Sequence, residues 1–150
     1  MEAFVDLDTR KIAIKKQPLF SQLTEAETEE LANLLEEKRY AAGEVLVTEG
    51  DRVDSFFLII TGDADVRVNI IHDHKIDTKS VAVLKTGQAI GLKDRGFYSV
   101  TGLRTATVSA LTDMIVLRMS TAEFHGFALS HSHVSEIMHK NAASVWDVKE

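Results

Sequence analysis

The chain has 150 residues, of which 45% are hydrophobic, and it carries a formal net charge of −6 at pH 7. This length and composition suit one domain with its own hydrophobic core, whereas the acidic balance disfavours general nucleic-acid binding, which depends on many phosphate contacts from Lys and Arg. Because the sequence contains no cysteine, disulfides, thiolate metal sites and cysteine nucleophiles are excluded.

Hydropathy along the chain argues against membrane insertion and secretion. The longest purely apolar run covers residues 56–60, far short of the roughly 20 residues that a membrane-spanning helix needs. Residues 1–16 mix charges of both signs with scattered apolar residues, unlike a secretory signal. We therefore expect a cytoplasmic protein that does not enter a membrane, organised as a single domain over residues 1–150.

Residues 1–38 carry the signals of helices. Thr24 with Glu27 three residues later is a capping-box pattern, which satisfies backbone N–H groups at the start of a helix. Leucines then recur at helical spacing at positions 31, 34 and 35. Pro18 predicts a break between this helix and a shorter one before it. The sequence therefore predicts N-terminal helices over residues 1–38.

From about residue 39 to residue 119 the apolar period changes to two, which indicates β-strands. The alternation occurs in Val45/Val47, Phe57/Ile59, Val66/Val68/Ile70, Val81/Val83 and Ile115/Leu117/Met119. Glycines punctuate these runs, as expected for short strands joined by tight turns in a sandwich, jelly roll or β-roll. One strand parity is expected to form a single core from Val45, Phe57, Ile59, Val66, Val68, Val83, Val108 and Leu117.

Helical signals return over residues 120–150. Ser120 and Glu123 form a second capping box, and a final helix is predicted from about Ser132. Its apolar stripe comprises Val134, Ile137, Met138, Ala142, Val145 and Trp146. Because this band is broad, we predict a two-fold homodimer through the final helix; the alternative is that the whole band packs on the strands of its own chain.

Five phrases occur in a fixed order along the chain: Pro18–Phe20, Ala42–Leu46, Glu49–Asp51, Phe57–Ile59 leading to Gly62, and Arg104–Val108. Together they resemble the cyclic-nucleotide-binding domain family of catabolite-activator-like regulators, kinase regulatory subunits and gated channels, over roughly residues 18–140. The resemblance implies a mainly β fold with flanking helices. In that fold an eight-stranded, jelly-roll-like β-roll follows N-terminal helices and precedes two C-terminal helices. It also implies a regulatory or sensory domain and not an enzyme.

The resemblance further implies where a ligand binds. In the family, a cassette between two strands holds a cyclic phosphate through backbone N–H groups at a helix start, through an Arg followed by Thr or Ser, and through a Glu that binds the ribose hydroxyl. Arg104 and Thr105 match the first pair, but Leu92 stands where the Glu is expected. The candidate ligand-binding residues are Gly91, Leu92, Lys93, Asp94, Arg95, Arg104 and Thr105.

Two interpretations of this altered cassette stay open. In the first it binds a phosphate-bearing ligand, either a cyclic nucleotide or, through Lys93 and Arg95 beside Arg104, a cyclic dinucleotide; Asp94 then offers another carboxylate for the sugar. In the second the cassette is degenerate, Arg104 makes a structural ion pair, and the domain is a protein-interaction or dimerisation module. Neither interpretation requires a cofactor.

Other candidate chemistry is weaker. His72 and His74 would share one face of a strand, and with Asp77 they could chelate a metal, but the polar run from His72 to Lys75 is more typical of a hairpin tip. No phrase resembles a nucleophile elbow or sets up a base beside an oxyanion hole, so no catalytic residue is predicted. The chain ends at Glu150 without a helix-turn-helix, so DNA binding by this chain alone is not expected.

Overall fold

The computed structural model describes residues 5–92 and 102–145, with 139–145 described as backbone only. Helices α1 (Leu7–Lys15) and α2 (Glu25–Leu34) flank a 3-10 turn at Pro18–Phe20. The strands are β1 (Glu36–Tyr40), β2 (Val45–Val47), β3 (Ser55–Thr61), β4 (Ala64–His72), β5 (Lys75–Leu84), β6 (Ala89–Ile90), β7 (Thr107–Ala110) and β8 (Met114–Ser120). Helices α3 (Thr121–Leu129) and α4 (Ser132–Val145) follow. None of the helices in these ranges is long and apolar enough to cross a bilayer.

The strands form two antiparallel four-stranded sheets, ordered β1-β8-β3-β6 and β2-β7-β4-β5. Phe57 and Ile59 of the first sheet and Val108 and Ala110 of the second belong to one buried cluster, so the two sheets enclose a shared core. The predicted fold, a mainly β eight-stranded roll with helices on both sides, is confirmed.

Local sequence accounts for most helix ends. Thr24 Oγ1 accepts from the Glu27 N–H at 3.1 Å, and the Glu27 carboxylate accepts from the Thr24 N–H at 2.8 Å. Ser120 and Glu123 make the same reciprocal cap at α3. The predicted break at Pro18 is also present. The first helical segment was predicted too long, however: residues 36–38 belong to β1, which pairs with β8.

The polar run after β4 forms a two-residue hairpin turn, as its sequence predicts. Asp73 and His74 have φ angles of 51° and 66°, and His72 pairs with Lys75 across the turn. His74 therefore lies in the turn and does not share a strand face with His72. Among the described residues, no group of three or more His, Cys, Asp or Glu could hold a metal ion.

The expectation of a single core is wrong, because β3 is buried on both of its faces. Phe57 and Ile59 point into the roll, while Phe56 and Leu58 point outward into a second cluster beneath the helices. We call these the inner core and the outer core. Alternation along a strand sends neighbouring side chains to opposite faces, and both faces of this central strand are covered.

Several residues assigned to the single core lie elsewhere. Leu117 is buried in the outer core. Val66 packs against the inner core and is only partly buried, as is Val68. Val45 and Val83 are exposed by 51% and 44%; they lie on β2 and β5, the edge strands of their sheet.

Strand β5 departs from regular pairing with β4. Val66 faces Ala82, while the next residue, Arg67, faces Ser80, so the pairing register skips Val81. This is a β-bulge, in which one extra residue on one strand bends the pair and increases its twist. In the sheet order of the described residues, β5 has β4 on one side and no strand on the other.

The first half of α4 packs on its own chain. Val134, Ile137 and Met138 are each at most 5% exposed and belong to the outer core. These three residues therefore pack on the roll of their own chain, which was the alternative to a dimer interface. A charge at Ile137 would therefore disrupt the fold itself, so it is not a specific test of dimerisation.

Candidate ligand-binding site

A cavity of about 710 Å³ opens between the inner faces of the strands and the N-terminal turn. Its strand lining is apolar: Val47, Val66, Ala82, Leu84 and Val108. Residues 87–92, which include β6, residues 16–19 at the end of α1, and residues 104–106 complete the described lining. The volume lies within the range of ordinary small-molecule sites.

Arg104 is the most deeply buried charged residue of this lining, with 4% of its surface exposed. Its backbone is held on both sides, since its N–H donates to the Asp51 carbonyl at 2.7 Å and its carbonyl accepts from the Gly50 N–H at 2.9 Å. Its Nη2 donates to the carbonyl oxygen of Ser55 at 2.9 Å and to Ser55 Oγ at 3.2 Å. The guanidinium is therefore fixed against the start of β3.

Nη2 of Arg104 also lies 3.4 Å from a carboxylate oxygen of Asp54, whose side chain is 72% exposed. The exposed partner stays largely hydrated, so this ion pair stabilises the arginine weakly. The hydrogen bonds to buried Ser55 are the stronger anchors.

Gly91 passes directly against the guanidinium. A Cβ at this position would lie 2.7 Å from Arg104 Nη1 and 3.0 Å from the Ser55 carbonyl oxygen. Its φ of +90° is also a conformation that side-chain-bearing residues rarely adopt. Glycine is thus required here twice, by backbone conformation and by the closeness of the arginine.

Leu92 borders the cavity and is buried, with 4% exposure. It belongs to the outer core, together with residues of the N-terminal turn and β3. Hydrocarbon therefore occupies the position at which the resemblance implies a ribose-binding carboxylate.

The structure brings four of the seven candidate residues to one cavity: Gly91, Leu92, Arg104 and Thr105. Thr105 is exposed. The other three, Lys93, Asp94 and Arg95, lie outside the described residues.

Two further cavity residues, Lys16 and Gln17, carry no sequence signal of a site. Gln17 is buried, and its Nε2 donates to the carbonyl oxygens of Ala13 and Gly87, both at 3.1 Å. This side chain joins the end of α1 to the turn before β6. In the sequence, the only feature of Lys16 and Gln17 that could have suggested a role is their position just before Pro18.

Among the carboxyl groups with lowered pKa values, Asp65 and Glu27 lie on other parts of the molecule. The pKa of Asp65 on β4 is held below its ordinary value of 3.8, chiefly by the hydroxyl of Ser80 and then by Arg67. Burial acts to raise the pKa of Glu27, but the Thr24 backbone N–H and His133 outweigh it and keep that pKa below 4.5. Neither residue lines the cavity.

Comparison with known proteins gives consistent results. The family model described as "Cyclic nucleotide-binding domain" matches residues 37–131. A cAMP-dependent protein kinase regulatory subunit from Eremothecium gossypii is 32% identical over 132 residues, covering 85% of this chain and 25% of the relative. A cGMP-dependent protein kinase, isozyme 2, from Drosophila melanogaster is 34% identical over 80 residues, covering 53% of this chain and 8% of that protein.

Solved structures share the fold at lower identity. The N-terminal domain of a transcriptional regulator from Streptomyces coelicolor superimposes with a TM-score of 0.77 at 23% identity, covering 89% of this chain and 88% of that one. The regulatory domain of Toxoplasma gondii PKA, crystallised with cAMP, gives 0.71 at 18% identity, covering 85% and 46%. The match to the Eremothecium relative spans a quarter of that protein's length, and a match over 33% of this chain spans a tenth of a Mycosarcoma maydis regulatory subunit. Its two-sheet roll and the family match over residues 37–131 establish that this chain belongs to the cyclic nucleotide-binding domain family.

Proposed function

We propose that this chain is a regulatory, non-catalytic domain that binds a cyclic nucleotide in the cavity beside Arg104. The observation that carries the proposal is the buried guanidinium of Arg104, positioned by Ser55 on the wall of a cavity of suitable size. The relatives support it by their names, since they include cAMP-dependent and cGMP-dependent kinase components.

The chemistry of the cavity suits a cyclic phosphate on an apolar body. Arg104 offers a planar set of donors matched to phosphate oxygens, and the exposed hydroxyl of Thr105 lies next to it in sequence. Because Gly91 has no side chain, the guanidinium of Arg104 can lie against the cavity wall at this point. The apolar strand residues would cover the sugar and base.

Leu92 predicts how this recognition differs from that of a cassette with a ribose-binding Glu. A leucine accepts no hydrogen bond from the 2′-hydroxyl, so a contribution of about 1.5–3 kcal/mol is missing. We therefore expect the phosphate to dominate affinity and the 2′-hydroxyl to matter little. A cyclic dinucleotide is the alternative ligand, through Lys93 and Arg95 in the candidate cassette.

A second candidate function rests on the same arginine. The ion pair of Arg104 with Asp54 and its bonds to Ser55 give the residue a structural role without any ligand. Together with the buried Leu92, this favours a degenerate cassette in a protein-interaction or dimerisation module.

The proposal includes a cytoplasmic location and a homodimer through α4. The outer core of the same chain already buries Val134, Ile137 and Met138. The proposed interface therefore begins further along the helix, at the apolar sequence positions Ala142 and Val145. Light scattering should show twice the chain mass for the unmodified protein and the single mass for Val145→Glu. A single mass for the unmodified protein would contradict the dimer.

The experiment that separates the two functions is a thermal-shift screen followed by titration calorimetry. A ligand at a hundred times its Kd stabilises the folded state by about 2.7 kcal/mol, so cyclic AMP, its 2′-deoxy analogue, cyclic GMP and cyclic dinucleotides are tested at high concentration. Arg104→Lys keeps the charge but removes the forked donor, and the affinity should fall roughly 10- to 100-fold. Arg67→Lys is the matched control, since Arg67 lies on β4 and does not line the cavity.

The outcomes are distinct. Binding that is weakened by Arg104→Lys, unchanged by Arg67→Lys and insensitive to the 2′-hydroxyl supports the ligand-binding function. A flat screen with every nucleotide would reject it and leave the interaction module.

A further inference from the structure

The cavity has a second cationic residue, Lys16, contributed by the end of α1. The side chain of Lys16 lies over Gly87, since a Cβ on that glycine would be 3.3 Å from Lys16 Nζ and 3.5 Å from its Cδ. The backbone next to it is fixed, because Gln17 donates to the Gly87 carbonyl at 3.1 Å. Lys16 is exposed, but the hydrogen bond of the next residue, Gln17, holds the backbone at this point to the cavity wall.

Lys16 and Arg104 mark opposite ends of one wall segment. Arg104 contacts the chain at Gly91, and Lys16 contacts it at Gly87. Both side chains line the same cavity, whose volume of about 710 Å³ is within the range of small-molecule sites. A nucleotide that fills this cavity and binds Arg104 through its phosphate would extend its base along the wall toward Lys16.

The chemistry of an ammonium group distinguishes between purines. Lysine has three donors and no acceptor, so it can bind only an acceptor on the base. Guanine presents N7 and O6 together as acceptors, whereas adenine presents N7 beside an amino group that is itself a donor. A lysine at this edge favours guanine and disfavours adenine.

We propose that Lys16 is a specificity-determining residue that selects cyclic nucleotides with a carbonyl at position 6 of the purine. This inference rests on the proposed cyclic-nucleotide function and names the ligand class within it: cyclic GMP and cyclic IMP bind in preference to cyclic AMP. Cyclic IMP is the diagnostic ligand, since it keeps O6 and N7 and lacks the 2-amino group of guanine.

Competition titrations with these three nucleotides test the inference on the unmodified protein, on Lys16→Ala and on Lys15→Ala. Cyclic GMP and cyclic IMP should each bind about tenfold more tightly than cyclic AMP, the lower end of the range for a charged hydrogen bond, because Lys16 is exposed. Lys16→Ala should remove this preference, so that the three nucleotides bind with nearly equal affinity. Lys15→Ala removes the same charge one residue away, outside the described cavity lining, and should keep the preference.

Each other result overturns the inference, and the cause can be identified. Cyclic IMP that binds like cyclic AMP would assign selectivity to the 2-amino group. A preference that survives Lys16→Ala would assign it to another residue. Binding that depends on Arg104 but does not discriminate among purines would refute only the role of Lys16 and leave the proposed function standing. Absence of binding by all three nucleotides would refute the proposed function as well.

Discussion

Replacing Gly91 with alanine would place a methyl group against the arginine on which the proposed site depends. The new Cβ would lie 2.7 Å from Arg104 Nη1 and 3.0 Å from the Ser55 carbonyl oxygen. Both are polar atoms held by a hydrogen-bonded strand start, so the guanidinium has to move away from Ser55. The φ of +90° adds backbone strain of its own.

The expected cost has two parts. A left-handed conformation costs a residue with a side chain roughly 1–2 kcal/mol. Displacing the guanidinium weakens a hydrogen bond from a charged donor, which is worth about 1.5–3 kcal/mol. Gly91→Ala should therefore lower the free energy of unfolding by about 2.5–5 kcal/mol.

Gly43→Ala supplies a matched control, because Gly43 has a φ of +94° and no atom lies within 4 Å of the added Cβ. In urea denaturation, Gly43→Ala should lower the free energy of unfolding by roughly 1–2 kcal/mol, the cost of the backbone conformation alone. Calorimetry should show weaker binding of cyclic nucleotide to Gly91→Ala and unchanged binding to Gly43→Ala. Equal losses of stability in the two variants would refute the close approach of Gly91 to Arg104.

Three further predictions concern the two cores and the carboxylate of Asp65. Phe57→Ala should lower the free energy of unfolding by about 3–5 kcal/mol, because Phe57 is buried in the inner core; a loss in urea denaturation below about 1 kcal/mol would contradict this placement. Ser80→Ala should raise the pKa of Asp65 toward 3.8, and NMR titration of both proteins measures this change. Because that pKa is lowered by folding, the stabilisation it gives is present above about pH 4 and is lost as the pH falls through the folded value; an unchanged pKa would exclude the Ser80 hydrogen bond as its main cause. Leu92→Glu should cost more stability at about pH 8 than at about pH 5, since burial raises a carboxyl pKa and disfavours the charged form, and equal losses would mean that the side chain reaches solvent.

Signals that depend on neighbouring residues predicted local structure well. The caps at Thr24 and Ser120 involve residues only three positions apart, so they are visible in the sequence. Strand β1 was missed over residues 36–38, because Glu36–Tyr40 is charged and becomes a strand through pairing with distant β8. The division into inner and outer cores was missed for a similar reason: alternation shows that Phe56 and Phe57 face opposite ways, but not that helices cover the outer face.

The candidate site was predicted in part. The family resemblance leads to Gly91 and Arg104, and a Cβ on Gly91 would lie only 2.7 Å from Arg104 Nη1. It does not lead to Gln17, whose partner Gly87 is 70 positions away. No periodicity or local motif records such a contact.

The bulge at Val81 bears on how the protein behaves at high concentration. A straight, apolar outer strand offers its free N–H and C=O groups to any other chain, which is a common start of aggregation. Strand β5 carries exposed Ile76 and Val81, yet its pairing register is broken in the middle and charged Lys75 and Lys79 interrupt its length. We expect the irregularity and these lysines to oppose pairing with another chain, so a regularised, uncharged β5 would turn this side of the roll into a template for sheet growth between molecules.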